Sequence, residues 1–203
     1  MSDQLILDLA PPAPPTLDNF VPGANAAAVA ALRRLALGEE RVVYLWGDRG
    51  CGKTHLLEAT RRAADAGLLV LDDVDVLDEP AQVRAFDAFN LARARGMPVA
   101  AAGEVPLARL AVREDLRTRL ASGLVFQVHA LSDDDKADAL RREAASRGIA
   151  LGEDVLRFLR ERLPRDLGTQ LAVLDALDRY SLARKRALTV PLAREALDRL
   201  GLA

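Results

Sequence analysis

Residues Gly47 to Thr54 read GDRGCGKT and follow directly on a short apolar run, Arg41 to Leu45 (RVVYL). The segment satisfies the pattern G-x-x-x-x-G-K-[ST] at every fixed position, with an additional glycine at Gly50. Glycines at these positions let the backbone turn tightly, so that successive N–H groups converge on phosphate oxygens. A helix opening immediately after the loop adds the partial positive charge of its N-terminus. Gly47, Gly50, Cys51, Gly52, Lys53, Thr54 and His55 are therefore candidate nucleotide contacts. Lys53 suits the β and γ phosphates, and the Thr54 hydroxyl suits a magnesium ion. Cys51 stands where the loop needs a compact side chain rather than a redox group.

A loop of this kind belongs to a parallel sheet, and the flanking sequence agrees. Leu68 to Leu71 (LLVL) reads as a buried strand ending in Asp72 and Asp73. Asp72 is a candidate magnesium-side carboxylate, and Asp73 a carboxylate that could orient water. Asp75 and Asp78 read as the opening of the next helix. Pro98 to Ala102 is a weaker third strand and Leu124 to Val128 a clearer fourth. Helices are expected over Ala26–Leu35, stopped by Gly38, over His55–Ala66, and over Gln82–Arg95. In the last of these, Val83, Phe86, Phe89 and Leu91 supply the apolar spacing. Strands alternating with helices predict an α/β fold with a parallel sheet covered on both faces.

Beyond Ala130 no strand pattern remains. Ser132 followed by three aspartates is a helix start, because hydroxyl and carboxylate groups suit the exposed N–H groups there. Helices follow over Lys136–Arg147, with Gly148 as stop, and over Glu153–Leu163, ended by Pro164. A third covers Asp166–Arg186, and a short one follows Pro191. At the other end, Pro11, Pro12, Pro14 and Pro15 favour an extended, solvated segment. The expected organisation is a tail over 1–15, an α/β nucleotide-binding domain over 16–130 and a helical lid domain over 131–203.

Charge and composition narrow the function. The formal net charge is -2 and the isoelectric point about 5.8, so nothing demands nucleic acid as a direct ligand, and sequence-specific DNA binding is not expected. The single cysteine excludes an intrachain disulfide. No apolar run approaches the ~20 residues of a membrane span, and the N-terminus lacks the features of a signal peptide. A cytoplasmic protein is the simplest expectation.

Several segments together resemble the AAA+ ATPases, and within them the initiator clade. They are QLILDL, TLDNFVPGAN, GDRGCGKTHLL, DLRTRL, LSDDDKADAL and LARKRALTVP, in family order along essentially the whole chain. The resemblance implies an AAA+ P-loop core with a small all-helical lid, holding ADP or ATP with Mg. It implies that QLILDL binds the sliding clamp, the β subunit of DNA polymerase III. Physically, that segment has a polar anchor, Gln4, and apolar anchors at Leu5, Leu7 and Leu9, able to enter a hydrophobic groove. The residues alone equally allow a strand docked on its own domain. Phe20 and Val21 fall where the clade packs against adenine.

Arg119 falls on the arginine-finger position, with Arg117 and Arg113 nearby. A guanidinium there reaches a neighbouring protein's nucleotide in trans, and the implied neighbour is the replication initiator DnaA. A regulator of this kind would need little ATPase activity of its own, and a homo-oligomer is compatible with it. Three departures from the clade stand out. The stretch between the P-loop helix and the acidic strand is too short for the usual strand–helix unit, so the sheet is expected to be one strand short. Glu104 replaces a shorter acidic residue at the sensor-one position. Gly168 stands at the position of the lid arginine that senses nucleotide, with Arg165 as the nearby substitute. Two other classes fit the P-loop: an autonomous ATPase or kinase, and a helicase loader or DNA-binding initiator. Against the latter, the lid pattern reaches Ala203, so no appended helix-turn-helix domain is expected.

Overall fold

The structure, a computed structural model, describes residues 14–65, 67–164 and 166–202. The clamp-binding candidates Gln4, Leu5, Leu7 and Leu9, and the lid candidate Arg165, lie outside the described residues. Two compact units emerge, one spanning Pro14–Leu131 and one beginning at Ser132.

The first unit is built on four parallel strands: β1 (Val42–Trp46), β2 (Leu69–Leu71), β3 (Val99–Gly103) and β4 (Leu124–Gln127). Their order across the sheet is β2-β3-β1-β4. Four helices accompany them: α1 (Ala26–Ala36), α2 (Lys53–Ala63), α3 (Glu79–Ala94) and α4 (Glu114–Leu120). The period-two alternation of strand side chains divides the core in two. Val43 and Leu45 of β1, with Ala100 and Ala102 of β3, pack with Leu32, Leu35, Leu56 and Leu57 of α1 and α2. Val42 and Tyr44, with Val99 and Ala101, pack with Ala85, Phe89, Leu116 and Leu120 of α3 and α4. Burying a leucine contributes roughly 2 kcal/mol, so the helical layers hold the sheet from both sides.

The acidic-ended strand β2 pairs only with β3 among the described residues. The link from α2 to β2 spans only residues 64–68, which leaves no room for a strand and a helix. The sheet is accordingly one strand shorter than the resemblance implies. β3 is the least strand-like of the four in sequence, yet every residue of it is buried. Its alanines owe their conformation to pairing on both sides rather than to β-propensity.

Some boundaries and faces differ from the sequence expectation. The α3 helix begins earlier, at Glu79. The Asp78 carboxylate accepts a hydrogen bond from the Ala81 N–H at 2.8 Å, and Pro80 sits in the first turn, where a missing N–H costs nothing. The buried face of α3 is Ala85, Phe89 and Ala92, whereas Val83 and Leu91 are exposed. Two alanines beside Phe89, rather than Val83 and Leu91, mark the side that approaches the sheet. Only the Leu124 and Phe126 face of edge strand β4 packs into the core; Val125 and Gln127 point outward.

A single buried amide ties the two ends of this unit. The Asn25 side chain donates to the His129 carbonyl at 2.9 Å and accepts from the His129 N–H at 2.8 Å. That is how the segment before α1 closes on the chain leaving β4.

The second unit contains α5 (Asp133–Ser146), α6 (Glu153–Arg162), α7 (Leu167–Arg184) and α8 (Val190–Leu200). Ser132 and Asp135 form a reciprocal capping box at the start of α5. Leu140, Val155, Leu159, Leu174, Leu177 and Leu197 form its own core. The Tyr180 hydroxyl donates to Glu195 at 2.5 Å and links α7 to α8; that bond is the first cause holding the Glu195 carboxyl below its ordinary range.

Asn25→Ala should lower stability by about 2–3 kcal/mol, because it leaves two backbone groups at His129 without partners. A urea melt in which the midpoint hardly moves would contradict this role.

Candidate nucleotide-binding site

Strand β1 runs at the centre of the sheet and delivers the chain into the loop at Gly47. A Cβ there would lie 2.2 Å from the Val128 carbonyl oxygen, so only glycine passes between the ends of β1 and β4. Gly50 and Gly52 both have positive φ, at 78° and 104°, a region that side-chain-bearing residues rarely enter. Gly52 forms the N-cap of α2, which begins at Lys53 rather than at His55.

Lys53 is 7% exposed. Its ammonium donates to the carbonyls of Gly47 at 2.8 Å and Asp48 at 3.1 Å, which holds the charge over the loop. Cys51 is buried. Burial pushes its thiol pKa up, against the lowering effect of Lys53, so it fills space rather than offering a thiolate.

Thr54 and Asp72 come together from α2 and the end of β2. The Thr54 hydroxyl donates to Asp72 Oδ2 at 2.8 Å. Asp73 sits beside them in the left-handed region with φ 49°, and its N–H donates to Asp72 Oδ1 at 3.0 Å. Among the described residues no group of three or more His, Cys, Asp or Glu could cage a metal. Magnesium typically takes one or two protein oxygens and completes its shell with water and phosphate, and the Thr54 hydroxyl and Asp72 carboxylate are the oxygens that would face it.

Phe20 packs against the loop from the other side: a Cβ on Gly52 would meet its ring at 2.9 Å. The Phe20 and His55 rings lie 5.4 Å apart, and both Phe20 and Val21 are half-buried. His55 Nε2 faces the Thr16 carbonyl at 3.3 Å and Asn19 Oδ1 at 3.1 Å, so it must donate, and it pins the segment before α1 to the P-loop helix. The structure thus gathers Phe20, His55, the loop glycines, Lys53, Thr54, Asp72 and Asp73 in one region.

Asp75 is the residue that sequence reasoning missed. Rather than opening α3, its Oδ1 accepts from the Glu104 N–H at 3.0 Å and joins the turn after β2 to the end of β3. Burial of Tyr44 pushes its hydroxyl pKa up, and the Asp75 charge adds to that rise. The Tyr44 hydroxyl donates to the Val105 carbonyl at 2.8 Å. The only sequence signal was a glycine, Gly103, at the point where Tyr44 and Asp75 crowd in. The Glu104 side chain reaches Arg49 of the loop at 3.6 Å, an exposed pair of little energetic weight.

The remaining candidates lie elsewhere. Arg119 is on α4, its guanidinium 5.9 Å from the centre of the Phe86 ring. Gly168 lies in the first turn of α7, where a Cβ would meet only Asp166 Oδ1, at 3.5 Å. An ordinary contact of that kind means packing does not require glycine there.

Residues 133–197 match the family described as "Hda, lid domain". The whole chain is similar in structure to domain III of the replication initiation protein DnaA from Thermotoga maritima. The TM-score is 0.68 at 21% identity, over 93% of this chain and 98% of that one. It is also similar to AMPPCP-bound DnaA from Aquifex aeolicus, with TM-score 0.64 at 19% identity over 89% and 70% of the two chains. The fold is that of DnaA domain III. The likeness extends to RuvB of Thermotoga maritima, a Holliday junction branch migration motor, at TM-score 0.57 and 13% identity over 96% and 74%. Among the described residues no helix is long and apolar enough to cross a membrane.

Lys53→Ala should abolish detectable nucleotide binding, and Gly52→Ala should weaken it at least tenfold, through the strained φ and displacement of Phe20. Fluorescent-nucleotide titration measures both; wild-type affinity in Gly52→Ala would remove the loop geometry from the argument.

Proposed function

We propose that the chain is a nucleotide-bound AAA+ regulator that restrains the initiation of DNA replication, acting on a partner's nucleotide rather than its own. It holds ADP with Mg through Lys53, Thr54 and Asp72, with Phe20 and Val21 against the base. It engages the DNA-loaded sliding clamp through Gln4, Leu5, Leu7 and Leu9, and presents Arg119 to ATP-bound DnaA. The kinship of the lid with Hda and of the fold with DnaA supports this partner.

The observation that carries the reading is the contrast among the three arginines of the Arg113–Arg119 segment. Arg113 is engaged by Asp115 in a two-point pair, at 3.2 and 2.7 Å, and Arg117 is paired with Glu114. Arg119 has no carboxylate partner among the described residues and rests on Phe86. A ring face orients a guanidinium while leaving its N–H donors unspent. The developing charge on a γ-phosphate held by a neighbour is what such donors stabilise.

On this reading the lid contributes cohesion rather than a nucleotide-sensing arginine at Gly168, and the chain's own hydrolysis is slow. The glycine is not imposed by packing, so Gly168→Arg should fold with little change in stability, the gain in helix propensity being offset by a cation in the first turn of α7.

Arg119→Ala should bind ADP normally yet fail to stimulate hydrolysis of DnaA-bound ATP in the presence of DNA-loaded clamp, a loss on the order of 10³-fold. Stimulation retained by this variant would move the finger to another residue. Gln4→Ala should lose clamp binding with nucleotide affinity intact, and clamp retention in a pull-down would reassign the tail. Rapid multiple turnover of ATP by the isolated chain would favour an autonomous ATPase instead.

A further inference from the structure

The helical unit contains a cleft of its own. Its volume is about 300 Å³, and it is lined by Asp133 and Lys136 of α5, Arg157, Arg160 and Glu161 of α6, and Gln170 of α7. All six are charged or polar. Lys136 lies 3.6 Å from Asp133 Oδ1, and Arg160 lies 3.8 Å from Asp133 Oδ2. Both separations exceed hydrogen-bond reach, so these cations keep donors for another acceptor. Arg157 is exposed at the rim.

Gln170 is the buried member of the lining. It is 4% exposed, and its Nε2 donates to the Pro164 carbonyl at 3.0 Å, which fixes the orientation of the amide. Its Oε1 is then buried without a hydrogen-bond partner. That oxygen is closed off from the cleft as well as from solvent, so recognition in the cleft rests on its charged groups.

We propose that this cleft binds a sugar phosphate unit. The phosphomonoester would take donors from Lys136, Arg157 and Arg160, and the sugar hydroxyls would donate to Asp133 and Glu161. Three cations against two carboxylates leave one net positive charge for the anion. The volume is at the small end of ligand sites, enough for one such unit. No aromatic side chain lines the cleft to stack a base, so the sugar and phosphate carry the recognition. The source of that chemistry is either a free sugar phosphate or the phosphorylated end of a nucleic acid strand.

The test uses the full chain saturated with ADP, repeated with Lys53→Ala so that the P-loop cannot account for the signal. Calorimetric titration compares ribose 5-phosphate, a 5′-phosphorylated oligonucleotide and the same oligonucleotide without its phosphate. Binding of either phosphorylated probe, weakened about tenfold by Arg157→Gln and by Arg160→Gln, supports the site, and the tighter probe identifies the source. The substituted arginines are solvent-facing and loosely paired, so these variants should keep the wild-type melting temperature. Failure of both phosphorylated probes at millimolar concentration overturns the proposal. So does equal binding of the unphosphorylated strand, or binding indifferent to both arginine substitutions.

Discussion

The chain passes Gly47 with no room for a side chain, because any Cβ would stand 2.2 Å from the Val128 carbonyl oxygen. The β1–β4 ladder produces that closeness, continuing past the strands through the Val128 N–H, which donates to the Trp46 carbonyl at 2.7 Å. Because the backbone is held there, the next residues must curl away from the sheet. Glycines at 50 and 52 let them do so and bring Lys53 onto the loop carbonyls. The same ladder positions His129, whose backbone is gripped by Asn25, and Asn25 directly precedes α1. Loop, sheet edge and entry segment are therefore one mechanical unit.

That constraint explains how a four-stranded sheet can carry the site. Everything the loop needs comes from β1 and its two direct neighbours, β3 and β4. β2 brings Asp72 to Thr54 from the edge, and its turn is braced by Asp75 on the Glu104 N–H. A shorter edge is tolerable because the brace runs inward to β3, not outward to a further strand.

Most of the α/β alternation and the whole P-loop were legible in the sequence, since each rests on local chemistry: glycine freedom, apolar runs, capping residues. What was not legible depends on partners distant in the chain. Asp75 looks like a helix-opening aspartate until β3 places an N–H in front of it. The α3 face was misread because Val83 and Leu91 are large and apolar, whereas close packing on the sheet selects Ala85 and Ala92 beside Phe89. β3 itself looked weak because alanine carries little β-propensity, and only its two neighbours make it a strand. The contrast between Arg119 and its neighbours was equally hidden: the sequence gives three arginines at comparable spacing, and side-chain geometry separates them.

That separation also shows why one fold can serve a partner's chemistry. A guanidinium committed to a carboxylate has spent its most directional donors, and freeing it leaves a charge to be rehydrated or re-paired. Arg113 and Arg117 would meet that cost in any complex. Arg119 would not, because an aromatic face holds a cation in place without occupying its N–H groups. It sits on a short helix packed against α3 and leading directly into β4, the strand whose ladder continues to the glycine gate. Under the proposed function, a partner's phosphate would meet a donor already desolvated on one side and fixed to the same sheet that shapes this chain's own nucleotide loop.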